Sequence, residues 1–331
     1  MAARLYSCII RASGAAEGEE APYMRTNART DEPRACLPPL TAPSKPHFIP
    51  PPQACDSHMH LFGDPAKYKF DPDRSYTPPS ATVRDIDRLH GHLGIARCVI
   101  VQASVYGMNH GVMLEAMRAQ PSRFRGVAVL RADTPDSLID ELHEAGVRGF
   151  RVNLSQRHGR KVYRGGAGLE DAKALAPRLR RRGWHVQAWL DAEDLPDLAP
   201  HLFALGLDVV VDHMGRITAD RGVNSRGFSY LCDLLAAGKL WCKLSGADRI
   251  TCSGSPFDDA VPYGRALMQA NPKKVIWGTD WPHVNYFDDA MPDDGILTDL
   301  IPRYAPTAEE QALLLVINPA TLYEFSSQNM V

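Results

Sequence analysis

Two imidazoles and a carboxylate, at the ends of two apolar runs far apart in the chain, are the groups best equipped for chemistry. The first run is Ala54-Cys55-Asp56-Ser57-His58-Met59-His60; the second is Val275-Ile276-Trp277-Gly278-Thr279-Asp280-Trp281-Pro282-His283. A short apolar, β-branched run bounded by a turn signal reads as a buried strand. Alternation along such a strand puts His58 and His60 on one face. Two imidazole nitrogens and a carboxylate oxygen suit a divalent metal. Without metal, the same imidazoles polarise a carbonyl and the carboxylate takes a proton from water. The bland alternative is a pair of satisfied core histidines, which H-x-H alone would favour. Asp280, and a third imidazole in Asp212-His213-Met214-Gly215-Arg216, tip the reading toward function.

Cations form the second group. Arg151 lies inside Gly149-Phe150-Arg151-Val152-Asn153, a strand-like run where an unpartnered charge is costly. Arg157, Arg216 and Arg249 follow strand-like runs in loops. Guanidinium forks hold carboxylate or sulfonate in bidentate fashion, so arginines on separate loops point to a small substrate with more than one anionic group. Salt bridging to acids such as Asp56 or Asp248 is the alternative for any one of them, and loop capping for Arg216. Ser104 ends another apolar run, and Tyr76 and Tyr106 lie in loops that can reach a ligand. No G-x-S-x-G elbow surrounds Ser104 or Ser245, so a serine nucleophile is not expected. The run Arg178 to Arg182 falls late in a helix, where cations complement the dipole, and reads as a solvated face.

Elements that position these groups alternate from residue 54 onward. Strands are expected at 54–60, 97–102, 125–130, 148–153, 184–190, 208–213, 240–245 and 274–280. Helices are expected near 82–94, 110–120, 135–145, 168–182, 193–205, 227–238, 257–271, 292–303 and 307–317. Gly94, Gly146 and Gly183 follow helical runs as C-terminal caps. Near-continuous apolar strands alternating with helices argue for parallel strands covered on both sides. Eight such units predict a (β/α)8 TIM-type barrel over 51–331. An open doubly wound sheet is the rival, weakened by the lack of G-x-G-x-x-G after the first strand. In a barrel the site forms at the C-terminal strand ends. His58, His60, Ser104, Arg151, His213, Lys243, Ser245 and Asp280 all fall at or near such ends, whereas His185 falls at the opposite one.

Composition sets the outer bounds. A chain of 331 residues with 44% hydrophobic and 23% charged residues is ordinary for a globular protein. Its net charge of −2 gives no bulk attraction to nucleic acid or to an anionic membrane. Seven cysteines without C-x-x-C spacing read as reduced thiols in a cytoplasmic protein. Residues 1–50 are rich in Pro, Ala and charge, without periodicity, and are expected to form a flexible arm. The apolar patch Tyr6 to Ile10 is too short for a signal-peptide core, and Met24 offers a second start of translation. Oligomeric state has no signature here.

With these residues in hand, the chain resembles the amidohydrolase superfamily, in its amidohydrolase-2 branch. It is similar in particular to the 2-pyrone-4,6-dicarboxylate lactonases and the sulfomuconolactone hydrolases. The matching segments are CDSHMHLFG (55–63), VIVQAS (99–104), GFRVNL (149–154), GWHV (183–186), VVDHMGR (210–216), VIWGTDWPH (275–283), PDDGILTDLIPRYAPT (292–307) and NPATLY (318–323). The resemblance implies hydrolytic opening of an anionic lactone in the breakdown of aromatic compounds. It implies that Asp280 activates water and that His58, His60 and His213 polarise the lactone carbonyl. Ser104, Arg151, Arg157 and Arg249 would hold substrate anions, with help around Tyr76 and Asn285. Trp189 stands where a pyrone lactonase carries a substrate-contacting tyrosine, so a differently shaped lactone is expected. The resemblance leaves metal open: the pyrone lactonases work without it, and the sulfomuconolactone hydrolases are associated with zinc. One zinc ion held by His58, His60, His213 and Asp280 is therefore an expectation alongside a metal-free site, with no organic cofactor. A decarboxylase, a hydratase or a sugar-lactone isomerase of the same superfamily is the enzymatic alternative. A small-molecule binding barrel that lost its chemistry is the other.

Overall fold

Eight parallel strands form the centre of the computed structural model, which describes residues 33–157, 160–288 and 290–326. They are β1 (Cys55–Met59), β2 (Arg97–Val101), β3 (Phe124–Ala128), β4 (Val147–Asn153), β5 (His185–Trp189), β6 (Val209–Val211), β7 (Trp241–Leu244) and β8 (Val275–Trp277), hydrogen-bonded in that order. The ring is closed by main-chain bonds beyond β8. Asp280 N–H donates to His58 O and His60 N–H to Trp281 O, both at 2.8 Å. Gly278 permits this seam, because a Cβ there would lie 2.7 Å from the Cβ of His58. The architecture is a (β/α)8 barrel.

Helices cover the outside in the expected alternation: α1 (Val83–Leu93), α2 (Gly111–Ala119), α3 (Asp136–Ala145), α4 (Leu169–Arg180), α5 (Leu195–Phe203), α6 (Arg226–Ala236) and α7 (Val261–Ala270). Local chemistry sets their ends. The Asp85 carboxylate accepts from the Thr82 backbone N–H at 2.9 Å and from its hydroxyl at 2.6 Å, starting α1. Gly146 ends α3 at φ 110°, a conformation that favours glycine.

Residues on each strand sort to two sides by period 2. On β2, Cys98 and Ile100 join the layer between strands and helices, whereas Val99 and Val101 join a second apolar cluster inside the ring. That inner cluster also holds Cys55, Val127, Val210, Trp241 and Ile276, and Leu322, Tyr323 and Phe325 close it from below. Tyr323 ends a short helix, Asn318–Tyr323, in the NPATLY segment that periodicity did not mark. Asn318 holds this helix under β8 by donating to Pro272 O at 2.8 Å and Val275 O at 2.7 Å.

Strand β1 departs from strict alternation. Cys55 faces inward in the lower cluster, and His58, three residues on, faces inward in the upper half. A regular strand cannot do both. The register against β2 shifts between Asp56 and Met59, where three steps of β1 oppose two of β2. This irregularity supplies the missing half-turn of phase.

The described part of the expected arm, 33–50, is seated on the barrel. Cys36 N–H donates to Thr77 O and Leu37 N–H to Tyr286 O, both at 2.8 Å. Further along, Ser44 N–H donates to Asp293 Oδ2 at 2.9 Å, and the N–H groups of His47 and Phe48 donate to Asp299 Oδ1 at 2.7 and 2.8 Å. A proline-rich segment has few N–H groups, and here the acids that cap and end helix Asp294–Asp299 take several of them. The rest of the expected arm, 1–32, lies outside the described residues. Among the described residues no helix is long and apolar enough to cross a membrane.

Candidate active site

Asp280 lies past β8 with φ 65°, in the left-handed region that few non-glycine residues adopt. A buried clamp holds it there. Asp56 accepts from Thr279 N–H at 3.0 Å, Thr279 Oγ1 at 2.6 Å and His58 N–H at 3.0 Å, tying the ends of β1 and β8 together. His213 and Arg216, after β6, also have positive φ, 52° and 54°. Asn285, at φ 67°, brings to four the cavity-lining residues with this strained backbone.

Three imidazole Nε2 atoms converge on one oxygen. Asp280 Oδ1 is 3.6 Å from His58, 3.5 Å from His60 and 3.8 Å from His213. Arg249 Nη2 is 3.2 Å from the other carboxylate oxygen. Burial disfavours the charge on Asp280, but the neighbouring His213, His60, Arg249 and His58 outweigh it and hold the carboxyl well below the usual carboxylate range. Burial pushes the His213 imidazole down to about 4. Burial, then the Lys243 ammonium, lowers His58 as well. At neutral pH the carboxylate thus faces neutral imidazoles at His58 and His213.

The other ring nitrogens are anchored. His60 Nδ1 lies 2.7 Å from Val101 O, which can only accept, so Nδ1 carries the proton and Nε2 offers a lone pair. His213 Nδ1 lies 2.9 Å from Ser245 Oγ, a partner that can donate or accept. The donor atoms of His58, His60 and Asp280 lie within 4.8 Å of one another, and His58 Nε2 is buried without a hydrogen-bond partner. In type and spacing these residues fit one divalent ion.

Above the cluster opens a cavity with about 450 Å3 of atom-free space, its open mouth included. His60, His213, Asp280, Ser104, Tyr76, Arg151, Arg216, Arg249, Trp189 and Asn285 all line it, so most of the sequence-derived candidates meet in one place. His58 is set behind them, fully buried and outside the cavity wall. Its expected contact with a substrate carbonyl is replaced by contact with Asp280. The backbone of Arg157 belongs to a short hairpin, Gln156–Arg157 with Arg160–Lys161; its side chain lies outside the described residues. Tyr106 is turned away and accepts from Gly63 N–H at 3.1 Å.

Partners of the arginines shape the wall. Arg151 Nη2 is 3.6 Å from Asp212 Oδ2, and its Nε is buried without a hydrogen-bond partner. The Arg216 guanidinium stacks 3.8 Å over the Trp189 ring while Nε donates to Asp191 at 3.0 Å. Trp189 therefore acts as a shelf for a cation as well as a filler of space. Tyr163, from the loop after β4, packs at 4.7 Å on the same indole, and its hydroxyl accepts from Asn285 Nδ2 at 2.6 Å. Burial raises the pKa of Tyr163 and of Tyr76, so both phenols keep their protons.

Sequence reasoning placed Lys243 at a strand end without a specific role and assigned none to Tyr163 or Gln187. Tyr163 follows the hairpin in an unpatterned loop and leaves no signal. Lys243 sits in an apolar strand, and the cost argument that singled out Arg151 applies equally to it. Burial pushes its ammonium down to about 8.

Residues 55–325 match a family model described as amidohydrolase. The chain belongs to the amidohydrolase family. Among its relatives, the 2-pyrone-4,6-dicarboxylate hydrolase of Comamonas testosteroni is 39% identical over 290 residues, covering 85% of this chain and 93% of the relative. The 4-sulfomuconolactone hydrolase of Hydrogenophaga intermedia is 34% identical over 292 residues, covering 87% and 94%. A crystal structure of a probable 2-pyrone-4,6-dicarboxylic acid hydrolase from Acinetobacter baumannii, with citric acid bound, superposes with a TM-score of 0.70 at 27% identity. It covers 82% of this chain and 100% of that one.

Proposed function

We propose that this amidohydrolase opens the ring of a small lactone bearing two anionic groups, of the kind formed when aromatic compounds are broken down. One observation carries the reading: Asp280, held ionised, shares its cavity with Arg151, Arg216 and Arg249. The names of the relatives fit the same chemistry, and a 2-pyrone-4,6-dicarboxylate or a 4-sulfomuconolactone matches the cationic wall. Arginines from three different strand-helix units separate the two anions and fix the lactone between them.

His60 Nε2 and Asp280 Oδ1 are two acceptors 3.5 Å apart. A water that donates one hydrogen to each is held with its lone pairs facing the cavity. Asp280 takes a proton from that water as its oxygen attacks the lactone carbonyl. A carboxylate so strongly stabilised is a weak base, but a dianionic substrate adds negative charge and excludes solvent, and both raise its proton affinity. The oxyanion of the tetrahedral intermediate is met by His213 when Ser245 donates to Nδ1 and leaves the proton on Nε2. The ring C–O bond then breaks, and Asp280 returns its proton to the departing oxygen. Water has been added across the ester and the site is restored. Tyr163 and Tyr76, both protonated, donate to the substrate from the rim.

A zinc ion beside Asp280 would need a free lone pair on each of His58, His60 and His213, and would supply a Lewis acid and a more acidic water. The test is hydrolysis of purified 2-pyrone-4,6-dicarboxylate and 4-sulfomuconolactone, followed by ultraviolet absorbance with and without a chelator. Turnover of at least one is expected; turnover of neither overturns the substrate class. Turnover of the sulfonated lactone alone would make Trp189 a specificity residue.

A further inference from the structure

Lys243 is fully buried on β7, behind His58 rather than in the cavity wall. Its Nζ lies 2.9 Å from Ser57 O, 2.7 Å from Gln187 Oε1 and 3.3 Å from His58 Nδ1. An ammonium has three N–H donors and no lone pair, and it meets three hydrogen-bond partners here beside the Asp212 carboxylate, whose Oδ1 is 3.6 Å away. The first two can only accept. Gln187 is oriented by its far end, where Nε2 donates to Asp212 Oδ2 at 3.1 Å, so its oxygen must face the lysine. The third N–H of Lys243 goes to His58 Nδ1, at 3.3 Å the nearer of the two remaining acceptors. That nitrogen must therefore accept, and the proton of the neutral imidazole stands on Nε2, 3.6 Å from Asp280 Oδ1.

Two residues along the same strand, His60 has the opposite arrangement, because Val101 O requires a proton on its Nδ1. We infer that Lys243 is a positioning residue that fixes the proton of His58 on Nε2, facing Asp280, so that the H-x-H pair offers one N–H and one lone pair. The donor steadies the carboxylate and the acceptor shares the water.

A consequence concerns metal. A zinc ion needs the lone pair of His58 Nε2, and the buried ammonium withholds it. Spacing suits the ion; the proton does not. Asp212 Oδ1 is the competitor for His58 Nδ1, also at 3.3 Å, and makes no hydrogen bond while Lys243 is in place. Removing the ammonium lets Nδ1 donate to Asp212 and frees Nε2 for a cation.

The first test reads the tautomers in the parent protein. Long-range 15N–1H correlation on the histidine-labelled, full-length protein reads each tautomer, with His58 assigned by the signal lost in His58→Gln. Protonated Nε2 on His58 and protonated Nδ1 on His60 are expected. Protonated Nδ1 on His58 overturns the inference. The second test compares zinc affinity of Lys243→Met with that of the parent by competition against a chromogenic chelator. A rise of at least tenfold is expected, and unchanged or weaker binding by the folded variant overturns it. If that variant does not fold, the tautomer measurement decides alone. A third arm rests on the lactone-hydrolase reading: Lys243→Met lowers kcat at least tenfold with KM within twofold, whereas a raised KM at unchanged kcat would contradict a role through Asp280. Failure of the substrate class leaves the first two measurements intact.

Discussion

The mouth and the floor of the barrel both bury histidine, and they use it in opposite ways. At the mouth, His60 and His213 each anchor Nδ1 and turn Nε2 toward Asp280. At the floor, His185 starts β5, packs 5.3 Å from the Tyr323 ring, and has no hydrogen-bond partner for either nitrogen. Burial pushes its imidazole down to about 3. The floor histidine serves as bulk, pressed close to Gly149, where a Cβ would lie 2.3 Å from its Nε2. What separates a working imidazole from a packed one is the partner on its far nitrogen.

Four experiments press on that difference. Asp280→Asn at the mouth should lower kcat by about 10³-fold, since an amide cannot take the proton. Its melting temperature should fall, although Asn tolerates the left-handed backbone, because a carboxylate held below its usual range stabilises the fold and its loss takes one partner from Arg249. Circular dichroism melting beside lactone turnover checks both halves; near-normal turnover would remove Asp280 as the base. Arg151→Met should raise KM for a dianionic lactone by about 30-fold, the loss of one charge-assisted hydrogen bond of ~2 kcal/mol. An unchanged KM would take Arg151 out of the anion cage.

His185→Leu at the floor should leave kcat and KM within twofold. Its signature lies in pH. The unfolded chain protonates this histidine below its usual value of 6.5, while the folded one stays neutral down to about 3. The unfolded state then binds more protons, so stability contributed by His185 falls as pH drops through that window. Urea midpoints between pH 7 and 4 should fall less steeply in His185→Leu than in the parent; parallel curves would argue against a neutral floor histidine. The smallest effect is expected for Trp189→Phe, which weakens the shelf under Arg216. KM should rise about threefold, ~0.7 kcal/mol, with kcat unchanged.

Much of the barrel was legible because its strands are apolar runs closed by turn residues. The mouth was legible where chemistry and strand ends coincide, as with His58, His60, His213 and Asp280. Other features depend on distant partners. Lys243 is understood only beside Ser57, 186 positions away, and the strap at 33–50 only beside Asp293 and Asp299. Tyr163 reaches the cavity through a loop whose path no periodicity encodes. His58 illustrates the limit most plainly: its type and face were readable, but its place behind the wall, touching Asp280, follows from packing.

The register shift in β1 gives the two ends of that strand separate parities. Below it, Cys55 keeps step with the apolar floor; above it, His58 and His60 keep step with the mouth. Substitutions that remodel the floor can accumulate without dictating which residues of the upper segment point inward. One extra residue thus makes β1 a modular joint, through which a lineage can vary the foundation of its barrel and the reaction at its rim on separate schedules.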